Sequence, residues 1–170
     1  MAMKSNVILF WILLPASIVV FGCTSGESLA VPAIVGEWRS SVQFKTGPFS
    51  SINNLEFMFV FNLGGTMTES SNYDGAPPVP PAYGIWRSLG PEEFEARYEF
   101  YITQAPSGTD AIIEGGGWLP AGRGVFTERI RLSSDGKSFS STVSYEPLDL
   151  EGNPTVGGGE GEGSGVRLEF

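Results

Sequence analysis

The stretch EFEARYEFYI, residues 93–102, decides the fold class. Side chains along an extended chain alternate between its two faces, so Phe94, Ala96, Tyr98, Phe100 and Ile102 fall on one side. Glu93, Glu95, Arg97 and Glu99 fall on the other. A helix would scatter these residues around its circumference; the alternation predicts a strand with one face in a core and the other in water.

The same rhythm recurs on both sides of this stretch. Phe126, Ile130 and Leu132 alternate with Thr127, Arg129 and Arg131, and Phe139, Ser141, Val143 and Tyr145 repeat the pattern beyond the turn Ser133-Ser134-Asp135-Gly136. Gly136 is free to take the positive φ that such a turn uses. Glu37, Glu128 and the span Arg129 to Arg131 read as exposed strand faces with cross-strand pairing. Leu55, Phe57, Phe59 and Phe61 share one face of a further strand, with Glu56, Met58 and Val60 opposite, before the turn Asn62-Leu63-Gly64-Gly65 and a strand over 66–70. Strands are also expected at 84–88, 112–119 and 166–170, and no stretch carries a helical period. The expected fold is all-β: an up-and-down antiparallel β-barrel of about eight strands, in which closure removes exposed edges, with a β-sandwich as the alternative.

Two segments interrupt the rhythm and read as loops: YDGAPPVPPA at 73–82 and EGNPTVGGGEGEGSG at 151–165. Proline stiffens the first, which suits a surface connection or a lid over a barrel mouth. Glycine makes the second a candidate mobile loop; its Glu160 and Glu162 lack the Asp/Asn pattern of a calcium loop.

Composition excludes several functions. The net charge is −9, with no His and a single Cys among the 170 residues. An acidic chain without a basic cluster repels phosphate backbones, so no nucleic-acid partner is expected. Without His, Ser-His and Cys-His nucleophile chemistry is excluded, and the commonest metal ligand is missing. No metal site, no cofactor and no intrachain disulfide are expected.

The chain opens with Lys4 and an apolar run, VILFWILLPASIVVFG, over 7–22. Sixteen residues are short of the roughly 20 that span a bilayer as a helix, and Pro15 and Ser17 weaken the run further. A cleaved signal peptide fits better. It ends in Val20-Phe21-Gly22-Cys23, which resembles the bacterial lipobox, although Phe21 is larger than the usual residue there. The resemblance implies a signal peptide over 1–22, a diacylated Cys23, and a tether over 23–33 that begins Thr24-Ser25-Gly26-Glu27-Ser28. Two acyl chains provide stable anchoring. Thr24 stands where an Asp would signal retention at the inner membrane, so the implied address is the cell envelope, at the outer membrane if the source is Gram-negative.

From Gly36 onward the chain resembles the lipocalin-like (calycin) barrels. They open their first strand with Gly-x-Trp, here Gly36-Glu37-Trp38, and pack a late Arg across that indole. The resemblance implies a barrel domain over 34–170 and a barrel-closing pair, Trp38 and Arg167. The family's Thr-Asp-Tyr turn and final helix are missing, and Gly84-Ile85-Trp86 repeats the tripeptide elsewhere.

The inward aromatic residues are the candidate ligand-binding set: Trp38, Phe57 and Phe59 on early strands, Trp86, Phe94, Tyr98 and Phe100 in the middle, and Phe126 and Tyr145 late. A barrel of this size either fills with side chains or holds one small molecule, and both arrangements satisfy the pattern. The first expected function is a membrane-anchored protein binding a small hydrophobic ligand. The alternatives are a calycin-type cyclase, isomerase or hydrolase using a buried carboxylate, and a structural or partner-docking lipoprotein with a solid core. Glu69, Asp74 and Glu114 are the carboxylates beside strands; a solvated surface charge is the competing reading of each.

Overall fold

A computed structural model describes residues 30–73, 81–114 and 117–170. The expected signal peptide over 1–22, Cys23 and most of the expected tether lie outside the described residues, as do Asp74 and most of the proline-rich segment. The strands are β1 (Gly36–Phe44), β2 (Leu55–Phe61), β3 (Thr66–Ser71), β4 (Ala82–Ser88), β5 (Glu93–Gln104), β6 (Leu119–Leu132), β7 (Ser138–Leu148) and β8 (Gly159–Arg167). A short helix, α1 (Thr109–Ile113), lies between β5 and β6. Each strand pairs with the next, and β8 returns antiparallel to β1, so the sheet is a closed up-and-down barrel rather than a sandwich.

Alternation builds the wall. On β2, Leu55, Phe57, Phe59 and Phe61 are buried and the residues between them exposed. On β5 the inward face is buried through Phe94, Ala96 and Tyr98, while the outward carboxylates meet arginines of neighbouring strands: Glu95 with Arg87 and Arg129, Glu93 with Arg131, Glu99 with Arg123.

The expectations fail in three places. The segment 151–165 is not one loop: β8 occupies Gly159–Arg167, and only Val166 and Arg167 of the strand expected over 166–170 belong to it. The connection before β8 is also pinned, with Asn153 N donating to Asp149 Oδ1 at 2.7 Å and Thr155 N donating to the Pro147 carbonyl at 2.8 Å. Packing explains the misreading. β8 turns Gly159, Gly161, Gly163 and Gly165 inward, and a Cβ on Gly165 would stand 2.2 Å from the Phe139 ring. The Phe139 ring fills the space beside Gly165, Ser141 stands against Gly163, and the backbone of residues 43–47 closes on Gly159 and Gly161, so no side chain fits along this column.

The second failure is the strand expected at 112–119. Ile112 and Ile113 belong to α1, and β6 starts only at Leu119. The third is Glu128, which is not on an exposed face: it shares the inward side of β6 with Phe126 and Ile130 and is 0% exposed.

One end of the barrel is sealed. Trp38 donates its indole N–H to the Ile34 carbonyl at 2.8 Å, and the Arg167 guanidinium carbon lies 4.3 Å from the Trp38 ring centroid. Arg167 also donates to the carbonyls of Val35 at 2.8 Å and Gly136 at 3.1 Å, tying the chain entering β1 to the β6–β7 turn. Above this base Phe59, Phe61, Trp86, Phe94 and Phe139 pack into one core.

Candidate functional site

The opposite end of the barrel is hollow. A cavity of about 320 Å³ opens there, with walls from Phe49, Phe57, Phe100, Phe126 and Tyr145 and a carboxyl contribution from Glu69. Leu55, Tyr73 and Ile102 join them toward the rim. That volume lies at the lower end of the range for small-molecule sites.

Strand register brings these residues together. Phe126 on β6 pairs with Tyr98 on β5 and with Tyr145 on β7, so three inward rings meet where the barrel begins to widen. The centroids of Phe126 and Tyr145 are 5.1 Å apart, and Phe100 stacks on Phe126 at 5.6 Å. Gly124 makes that stack possible, since a Cβ there would stand 2.3 Å from the Phe100 ring. Phe49 comes from the β1–β2 connection and reaches in from above, 4.7 Å from Tyr145 in an edge-to-face contact and 6.0 Å from Phe126.

The structure divides the nine aromatic candidates. Phe57, Phe100, Phe126 and Tyr145 line the cavity, whereas Trp38, Phe59, Trp86, Phe94 and Tyr98 belong to the core beneath it. Trp86 anchors there by donating its indole N–H to the Asn62 carbonyl at 2.9 Å. Of the candidate carboxylates, Glu114 is exposed at the end of α1, while Glu69 points inward from β3 and is only 6% exposed.

Glu69 and Glu128 give the interior its chemistry. Glu69 Oε1 has no hydrogen-bond partner. Burial, and secondarily the charge of Glu128, push its pKa up from 4.5 to about 8. Burial likewise pushes Glu128 up to about 7, opposed by the nearby hydroxyls of Ser141 and Tyr98. Tyr98 donates to Glu128 Oε2 at 3.0 Å, whereas Glu128 Oε1 and Ser141 Oγ have no hydrogen-bond partner. The Tyr98 phenol is raised well above its ordinary value by burial and by the two carboxyls.

Glycine shapes this polar layer too. A Cβ on Gly163 would stand 2.4 Å from Ser141 Oγ, 3.5 Å from Ser40 Oγ and 3.6 Å from Glu128 Oε1. Those three buried oxygens converge on the bare backbone of β8 without hydrogen-bond partners. Chemically, the interior offers carboxyl and hydroxyl groups that hold protons near neutral pH. Among the described residues no cluster of acidic, Cys or His side chains suits a metal ion.

Sequence reasoning missed Phe49, which lies in a connection without periodicity. It also undervalued Glu69 and Glu128, although parity would have found both: Glu69 alternates with Met67 and Ser71, and Glu128 with Phe126 and Ile130. No protein-family model matches the chain, and no curated protein matches it.

Proposed function

We propose that this chain is a membrane-anchored lipoprotein whose barrel binds a small, largely hydrophobic ligand at its open end. The observation that carries the reading is the cavity of about 320 Å³ walled by aromatic rings, at the end away from the Trp38–Arg167 seal. Apolar walls with a few convergent polar groups are the usual composition of small-molecule sites. Anchoring rests on the Val20-Phe21-Gly22-Cys23 lipobox and the apolar run before it.

Native mass spectrometry of the full chain after incubation with a lipid extract is the test. A small-molecule adduct is expected with the unaltered chain and not with Ser71→Phe, which places a ring in the cavity. Apo mass alone for the unaltered chain would count against binding. For the anchor, Cys23→Ala is expected to abolish incorporation of labelled palmitate; unchanged labelling would refute lipidation at Cys23.

A second reading, acid catalysis within the same cavity, is favoured by one feature: Glu69, a carboxyl whose pKa burial pushes up to about 8, lines the space a ligand would fill. Recovery of a chemically altered ligand, with the alteration lost in Glu69→Gln, would establish it.

A further inference from the structure

The cavity has a charge preference as well as a shape. We propose that it selects an organic ammonium, a ligand with an apolar body and an N–H-bearing cationic head, the head resting on the Glu69 carboxyl and the body among the rings of Phe49, Phe57, Phe126 and Tyr145. This rests on the reading of the cavity as a ligand site and names the class of ligand.

Three observations carry it. First, Glu69 is 6% exposed and lines the cavity, and its Oε1, itself sealed from solvent, has no partner among the described residues. A buried carboxyl in that state is stabilised by a donor delivered from outside, and most strongly by a charged one.

Second, no basic group among the described residues opposes it. Among the described residues no Lys or Arg lines the cavity, and the Arg167 guanidinium lies at the sealed end over Trp38. Among the described residues the titratable groups near Glu69 are Glu128 and Tyr98, with Tyr73, Tyr101 and Tyr145 in the lining of the same cavity. None becomes positive. A ligand carboxylate or phosphate would meet acidic groups only, and the chain's net charge of −9 adds to the repulsion.

Third, the walls are built of aromatic rings, whose faces attract a desolvated cation and offer an alcohol no comparable gain. The empty site avoids a bare buried charge by keeping Glu69 protonated, consistent with its raised pKa of about 8. When the ammonium binds, that proton leaves to solvent and an ion pair replaces it. Binding is therefore linked to proton release below pH 8.

The test is isothermal titration calorimetry of the full chain with three probes of equal length: hexylammonium, hexanol and hexanoate. Hexylammonium is expected to bind at least about tenfold tighter than hexanol, with hexanoate weakest. Its affinity should rise by up to about tenfold per pH unit from pH 6 to 8 and level off above, while hexanol stays flat. Glu69→Gln should reduce hexylammonium to the level of hexanol and abolish the pH slope. If that variant does not fold, the slope in the unaltered chain decides alone. Hexanol or hexanoate binding as tightly as hexylammonium would overturn the assignment while leaving the proposed ligand site standing. Binding of none of the three would remove both.

Discussion

At the sealed end of the barrel, Trp38 is 0% exposed, its ring 5.3 Å from Phe139, its N–H satisfied by Ile34, and Arg167 covers its face. At the open end, Phe49, Phe126 and Tyr145 make ring contacts at similar distances, yet they surround empty volume. The two ends therefore use the same residue type differently. Where every ring face has a partner the rings add stability, and where some faces are left over they become available to a ligand. Between the two lies a polar layer of Glu69, Glu128, Tyr98, Ser40 and Ser141, which belongs wholly to neither.

The largest expected effect tests the sealed end. Trp38→Ala removes a fully buried indole and leaves Arg167 without its platform, so a loss of about 3–5 kcal/mol is expected in urea unfolding. A loss under about 1 kcal/mol, the scale of a surface substitution, would show that the base is not where stability resides.

The polar layer supplies the next test. Glu69 and Glu128 are raised from 4.5 to about 8 and about 7, so between these values the folded chain binds more protons than the unfolded one. Their contribution is complete below pH 4.5 and declines as pH rises, by about 1.4 kcal/mol per unit for each group until its folded value is passed. Urea unfolding at pH 5, 6, 7 and 8 is expected to show a fall of several kcal/mol, steepest below pH 7, where both groups contribute. Glu69→Gln should flatten the segment between 7 and 8. A flat profile for the unaltered chain would mean that both carboxyls reach water, and the layer would then belong to the open end.

Legibility from sequence divides along physical lines. β2, β5 and β7 were readable because large apolar and polar residues alternate in them, and such alternation has no helical counterpart. β8 is unreadable because its inward column is glycine: Gly159, Gly161, Gly163 and Gly165 carry no side chain to mark a buried face, and what closes on them, the backbone of residues 43–47 and the side chains of Ser141 and Phe139, lies on other elements. Glu128 sits on a visibly apolar column, where its charge argues for water and its parity for the core. The hollow was hidden for another reason. Phe59 and Phe57 are adjacent inward residues of one strand, yet only Phe57 reaches the cavity, and nothing local to β2 marks which is higher in the barrel.

The smallest expected effect sharpens the comparison most. Phe49 is half-buried, comes from a connection and not a strand, and touches Phe44, Phe126, Tyr73 and Tyr145 from above. If rings at the open end serve binding, Phe49→Ala should cost little stability, about 1 kcal/mol or less, because solvent already reaches the site and no closed void is created. It should nevertheless speed ligand release severalfold in stopped-flow displacement, since the ring forms part of the cavity roof. A loss approaching that of Trp38→Ala would join the two ends into one packed unit, because a mouth that the fold depends on is not free to open for a ligand.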